Sequence, residues 1–341
     1  MTAELSRRRV IQLTASATGT VLLPTWVFGK VARGTEAARP FTVVAMPDTQ
    51  NYADTIVKYY ARKGWSDLRE YFYGQTRWVA ENAAKENIVF LCHEGDIVQA
   101  DAAEEWEIAN KALTMLDGKV PYALALGNHD MGFNPKTKKC ATTRSTRFND
   151  YFPVSRFEKQ PWYGGHFGRV NDNHWCRFTG GGVKFLVLAL EFTPRDEVLA
   201  WANDVVAGHA DHRVIVTTHW YLHAGGKRDK RRGAIPGNSG EQIWQKLVSR
   251  HKNILMVLCG HIAREAANTE AGAHGNSVHQ LLADYQTHVN GGDGWLRLLK
   301  FLPAENTIQV RTFTTAHNRE NKGRKSRFSL AYPAGALTSR P

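Results

Sequence analysis

The chain has 341 residues, 43% of them hydrophobic, enough to bury one large α/β core or two small ones. Its formal net charge of +12 attracts anions such as phosphate esters, nucleic acid or an acidic envelope. Four cysteines, at 92, 140, 176 and 259, form no Cys-x-x-Cys pair, which excludes a zinc ribbon and a disulfide-dense scaffold.

Residues 1–38 read as an export signal with a short linker. Ser6-Arg7-Arg8-Arg9-Val10-Ile11 precedes a mildly apolar run, Leu13 to Phe28, that holds Gly19 and Pro24. The run is shorter than the roughly 20 residues a membrane span needs, so no transmembrane helix is expected in the mature chain. The segment resembles a twin-arginine signal. That implies delivery by the twin-arginine translocase to the periplasm or the exterior, as a protein already folded and often already metallated.

Phe41 to Met46, between Pro40 and Pro47, predicts a buried first strand that delivers Asp48-Thr49-Gln50 to a loop. Asp67-Leu68-Arg69-Glu70 has capping-box spacing and predicts a long helix to about Asn87. Ile88 to Cys92 is the next strand, followed by His93-Glu94-Gly95-Asp96. A helix from about Ala103 to Leu116 precedes the apolar run Val120 to Leu126, which ends in Gly127-Asn128-His129-Asp130.

Residues 131–182 have no clean period and read as a loop insertion of the kind that shapes substrate choice at a site's rim. Cys140 and Cys176 fall in its polar loops, where pairing in an oxidising compartment is open. Val183 to Leu190 is a strand, and Thr193-Pro194 then caps a helix. Arg213 to Thr218 is a strand that ends at His219. Ser239-Gly240-Glu241-Gln242 opens a helix to about Arg250. Ile254 to Cys259 leads into Gly260-His261. Strands near 278–283, 295–302 and 307–313 follow, and 316–341 reads as a polar tail. The order predicts an α/β fold, a two-sheet mixed β sandwich flanked by helices, over residues 39–315.

Apolar strands thus end in ligand-type residues five times: at Asp48 and Gln50, at Asp96, at Asn128, at His219 and at His261. One sheet edge can gather strand ends. Carboxylate, amide oxygen and imidazole together suit a divalent transition metal such as manganese, iron or zinc. Two such ions, about 3.5–4 Å apart, clamp a phosphoryl group for in-line attack. The basic stretch Gly226 to Arg232 is placed to draw in an anion or to form a solvated loop, and Trp162, Trp175 and Trp220 are expected in loops near the site.

Asp48-x-Gln50, Gly95-Asp96, Gly127-Asn128-His129-Asp130, His219 and Gly260-His261 together resemble the calcineurin-like metallophosphoesterase superfamily, from about residue 41 to about 265. The Asp-Thr-Gln opening, with Leu281 to Gln286 and Gly291 to Trp295, is similar to a bacterial branch of it. The resemblance implies a four-layer α/β/β/α fold and one or two divalent ions. It also implies hydrolysis of phosphomono- or diesters by a metal-activated hydroxide. Nucleotides, phospholipid head groups and envelope phosphopolymers are compatible substrates, and no stable nucleic-acid complex is expected. By resemblance, Asp48 holds the first metal, Asp96 bridges both, and Asn128, His219 and His261 complete the second. His129 is then the catalytic residue that stabilises the transition state or protonates the leaving oxygen.

Three departures stand out. Gln50 occupies the place of a His, and Ala263 that of the second His of Gly-His-x-His, so the first metal position is depleted. His93, Glu94 or His279 are candidate replacements. Gln99 stands where a carboxylate orients the catalytic His, which leaves His129 to lean on Asp130 or Asp101. Gln99 also stands where a purple acid phosphatase carries Tyr, which argues against that branch. The alternative these losses raise is a non-catalytic or very weak metal and phosphoester binder.

Overall fold

Continuous apolar runs with no alternation are what strands buried on both faces require, and such strands are typically parallel. A computed structural model describes residues 39–58, 64, 67–231 and 233–333; the segment read as an export signal, 1–38, lies outside them. Strand β1 (Phe41–Met46) leads through a single turn, α1 (Gln50–Ala53), to α2 (Arg69–Asn82), β2 (Ile88–His93), α3 (Ala103–Thr114) and β3 (Tyr122–Leu124). Two short helices, α4 (Phe148–Tyr151) and α5 (Val154–Phe157), precede β4 (Tyr163–His166) and β5 (His174–Gly180). Next come β6 (Val183–Leu190), α6 (Asp196–Gly208), β7 (Arg213–Thr218), α7 (Gly240–Lys246) and β8 (Ile254–Cys259). The rest is β: β9 (Glu265–Ala271), β10 (Ser277–Ala283), β11 (Trp295–Leu302), β12 (Thr307–Thr314), β13 (Arg319–Asn321) and β14 (Arg327–Ala331).

These strands form two mixed sheets. The first runs β13-β12-β11-β1-β2-β3, with β14 also beside β12, and the second runs β4-β5-β6-β7-β8-β10-β9. The centre of each is parallel: β1, β2 and β3 in one, and β6, β7, β8 and β10 in the other. Four rings lock the sheets face to face. Phe41 and Phe301 of the first stack at 4.5 Å, Phe178 and Phe185 of the second at 4.8 Å, and Phe41 meets Phe185 edge-on at 5.5 Å. Burial of each such ring contributes roughly 1.5–3 kcal/mol.

Local chemistry departs from expectation at several ends. Leu68, not Asp67, is the N-cap of α2; the Asp67 carboxylate instead accepts from the Arg69 N–H at 3.1 Å, and the helix stops at Asn82. The residues to Asn87 form turns, and Asn87 itself is left-handed at φ 47°. Thr193 is also left-handed (φ 44°), so it cannot cap; Arg195 is the N-cap of α6. The Ser239–Gln242 capping box forms in full. Two stretches read as loops carry strands. Residues 131–182 supply β4 and β5, and the polar tail supplies β13 and β14, which pair with β12. Strand β14 alternates exposed and half-buried residues, and its polar composition hides the period. Among the described residues, no helix is long and apolar enough to cross a membrane.

Candidate metal centre

Parallel strands deliver their carboxyl ends to one edge, and the ligand-type residues meet there. Asp96 after β2, His219 after β7 and His261 after β8 each offer one ligand atom within 4.8 Å of the others. His219 Nε2 lies 3.1 Å from Asp96 Oδ2 and 3.2 Å from His261 Nδ1. The Nδ1–H of His219 donates to the Glu94 carbonyl at 2.9 Å, which fixes the ring and turns Nε2 inward. Asp48, after β1, accepts the His261 main-chain N–H at 3.2 Å. The His129 main-chain N–H donates to Asp96 Oδ1 at 2.9 Å.

Three of these residues are held in the left-handed region: Asp48 at φ 34°, Asp96 at φ 51° and His261 at φ 70°. Such conformations cost on the order of 1 kcal/mol or more each and persist where the surroundings over-determine them. Two glycines show how tight those surroundings are. A Cβ on Gly127 would lie 2.1 Å from Asp96 Oδ1, and one on Gly260 would lie 2.1 Å from Asp48 Oδ2. Glycine is required where a carboxylate packs directly on the chain.

The donor set fits a divalent cation. Asp48 Oδ2, Asn128 Oδ1, Gln50 Oε1 and Glu94 Oε2 are buried with no hydrogen-bond partner. A buried acceptor left unpaired costs about 1–3 kcal/mol, which a bound cation would offset. Burial works to raise the Asp96 carboxyl, but the His219 charge beside it holds it well below the usual range. Burial pulls His219 down and Asp96 reverses this, so its net shift is upward. His261 is pushed down to about 3, by burial and then by His219.

His129 leans on neither Asp130 nor Asp101. Its Nδ1 lies 2.8 Å from the main-chain oxygen of Gln99. Asp130 braces two loops instead: Oδ1 accepts from Ile97 and Val98, and Oδ2 from Gly127, all at 2.7–2.9 Å. Asp101 accepts from the Trp106 indole and the Arg147 N–H. Cys140 reaches the site with Sγ 3.2 Å from His129 Nδ1, whereas Cys176 is buried under Tyr122; all four cysteines are free, so that pair does not form.

Of the replacements considered for the first position, two are elsewhere engaged. His93 bonds Thr49 Oγ1 and the Gly95 N–H, and His279 bonds Thr269 and the Ala331 carbonyl. Glu94 alone keeps a buried, unpartnered oxygen. Gln50 Nε2 donates to Asp96 Oδ2 at 3.1 Å and to Gln286 Oε1 at 2.7 Å. The residue that sequence reasoning passed over is Asp284, fully buried after β10 and bonded to Gln286. Its signal was its place at the end of another apolar strand.

Trp220 walls the site, its ring centroid 4.6 Å from that of His261 and stacked on Phe192. Trp162 and Trp175 do not reach it; they pack on Tyr122 and His209. In the basic stretch, Arg228 pairs with Glu241 and Glu270, and Arg231 with Asp229, which leaves Lys227 and Lys230 as its solvated charges among the described residues.

The family model of the calcineurin-like phosphoesterases matches residues 41–265, from β1 through His261. The chain belongs to the calcineurin-like phosphoesterase family. Among its relatives, the uncharacterized protein YvnB of Bacillus subtilis (strain 168) is 31% identical over 305 residues, covering 85% of this chain. The chain spans only 22% of that protein's length. The purple acid phosphatase PPD1 from yellow lupin (Lupinus luteus) seeds superposes with a TM-score of 0.52 at 14% identity, over 86% of this chain and 54% of that one. That likeness is one of fold. A dimetal phosphatase from Danio rerio is also similar, with a TM-score of 0.46 and 13% identity over 86% of this chain and 99% of that one.

Proposed function

We propose that the chain is an exported hydrolase of phosphomono- or diesters in which Asp48, Asp96, Asn128, His219 and His261 hold divalent metal, with Gln50 beside them, and His129 moves the proton. The convergence of Asp96, His219 and His261 carries this reading. A cation bound there supplies Lewis-acid polarisation of the phosphoryl oxygens and a more acidic attacking water.

The remaining work falls to the chain itself. The His129 main-chain N–H holds Asp96 Oδ1, so the carboxylate and the proton carrier keep a fixed spacing. With Nδ1–H donating to Gln99, Nε2 is the His129 atom left to face the departing oxygen, and the ring gives that oxygen a proton from Nε2 only as the doubly protonated imidazolium, returning to the neutral Nδ1–H form. Trp220 and Phe192 offer an aromatic wall to the leaving group. The basic chain favours anionic esters at the encounter stage.

Hydrolysis of p-nitrophenyl phosphate and its bis-ester, after chelation and with manganese added back, tests the proposal. Turnover restored by manganese and abolished by Asp96→Asn supports it, and the ratio of the two rates separates monoesterase from diesterase. Absent turnover, on a panel that includes nucleotides and phospholipid head groups, favours the non-catalytic or very weak binder, and metal-independent turnover contradicts the metal-based reading. Export rests on Ser6-Arg7-Arg8-Arg9. Arg7→Lys and Arg8→Lys together should keep the protein in the cytoplasm; unchanged secretion of that variant would refute a twin-arginine route.

A further inference from the structure

We infer that the hairpin formed by residues 131–141 recognises the leaving group, and that it selects esters whose departing alcohol carries a negative charge of its own, such as a second phosphate. The inference rests on the phosphoesterase reading above and names a class of substrate for it.

The placement follows from His129. In-line displacement puts the attacking and leaving oxygens on opposite sides of phosphorus, so with the leaving oxygen facing Nε2 the rest of the alcohol extends past this ring. Two segments lie behind the ring. Its Nδ1 is 2.8 Å from the Gln99 carbonyl oxygen and 3.2 Å from Cys140 Sγ. Gln99 opens the turn that leads to α3, and Cys140 belongs to the hairpin. A cleft of about 460 Å³ opens between the two, its walls including Ala100, Asp101, Gly132, Phe133 and Arg147.

The hairpin has a defined shape. The Ala141 N–H donates to the Met131 carbonyl at 2.7 Å, and the Asn134 N–H to the Lys139 carbonyl at 2.9 Å. Asn134 Oδ1 accepts the N–H groups of Lys136 and Thr137 at 3.0 and 3.2 Å. Lys138 is left-handed at φ 54°, a conformation that glycine or asparagine adopts at lower cost. A lysine held there with its side chain in water points to a use for its charge.

That charge is uncompensated. Between Asn134 and Cys140 the chain carries Lys136, Lys138 and Lys139 and no acid. All three are exposed, and none forms an ion pair among the described residues. Two arginines of the same insertion are engaged, Arg144 with Glu191 and Arg156 with Asp117. Arg147, in the cleft, holds Asp150 loosely at 3.9 Å. The acids of the cleft are Asp101, bonded to the Trp106 indole and the Arg147 N–H, and the exposed Glu104. Positive charge is therefore in excess on the side toward which the alcohol departs.

The test compares two nitrophenyl phosphates that differ in one group on the leaving ring, a carboxylate or its carboxamide. Each is offered to the full chain with manganese, as the monoester and as the methyl diester. The ratio of kcat/KM, carboxylate over carboxamide, is read in wild type and in a variant carrying Lys136→Gln, Lys138→Gln and Lys139→Gln. At low salt the wild-type ratio should exceed the variant's about three- to tenfold, the size expected of three lysines acting across roughly 10 Å of water. Salt at about 0.5 M should erase the difference. Lys139→Gln alone should give part of the loss and serves if the triple variant is unfolded. Lys227→Gln with Lys230→Gln, in the loop beyond Trp220, should keep the wild-type ratio. The same ratio in wild type and hairpin variant, or an equal loss in both lysine variants, overturns the inference and leaves metal-dependent hydrolysis standing. No turnover of any of these esters by wild type removes the phosphoesterase reading with it.

Discussion

The Nδ1 of His129 and the main-chain oxygen of Gln99 lie 2.8 Å apart, so a peptide carbonyl does the orienting expected of a carboxylate. An imidazole whose Nδ1–H donates to a fixed acceptor presents Nε2 in one tautomer. Substitution at 99 changes the side chain and leaves this carbonyl in place. Gln99→Ala should therefore keep kcat within a few-fold of wild type. His129→Ala should lose about 10²–10⁴ in kcat, with metal content unchanged. Steady-state kinetics with metal analysis checks both; equal losses would mean the Gln99 side chain acts directly.

That carbonyl is in turn held by Glu105. Its Oε2 accepts from the Gln99 and Ala100 N–H groups at 3.0 and 2.6 Å, and Oε1 from Thr55 and Ile56 at 3.1 and 3.3 Å. Glu105→Gln would point an amide NH₂ at two N–H donors. The expected cost is about 2–4 kcal/mol in urea unfolding, with kcat lowered more than KM. Unchanged kcat in a destabilised variant would show that the loop keeps its shape without Glu105.

Gly127 tests the packing of the Asp96 carboxylate. A methyl group there meets both Asp96 Oδ1 and the Asp96 main-chain N, at 2.1 and 2.2 Å. Gly127→Ala should weaken metal binding about 10–100-fold, the scale typical of a disturbed supporting shell. Gly208→Ala, where an added Cβ meets nothing within 4 Å, is the matched control and should bind as wild type.

Acid should destabilise the fold through His174. This buried ring donates Nδ1–H to the Asn171 carbonyl at 2.9 Å and accepts the Leu124 N–H on Nε2 at 3.3 Å, a pair of bonds only the neutral form can make. Burial accordingly pushes it down to about 4 from an ordinary 6.5. Between those values the unfolded chain binds a proton that the fold refuses. The contribution is therefore whole above about pH 6.5 and falls by about 1.4 kcal/mol per pH unit toward pH 4. Denaturant titrations across that range, in chelator, measure the slope; a flat profile together with a His174 resonance titrating near 6.5 would contradict it.

The ligand-bearing turns were legible because each follows an apolar run, and parallel sheets bring such ends together. Asp48, Asp96, His219 and His261 were found on that logic alone. Gln99 misled because its side chain was read where its backbone acts, and no residue identity announces a main-chain acceptor. Asp284 follows the same kind of strand but lacks a neighbouring Gly or His to mark it. The strands in 163–180 and 319–331 escaped for a related reason. At sheet edges only one face is buried, so polar residues dilute the pattern. Cys140 could be placed against His129 only once the loop that carries it had been folded.

The most direct measurement is anomalous diffraction from crystals grown with zinc. The account predicts a peak about 2.0–2.2 Å from a carboxylate oxygen of Asp96 and from one ring nitrogen each of His219 and His261. A fully occupied peak elsewhere on the chain, with these three residues still bonded only to one another, would contradict it.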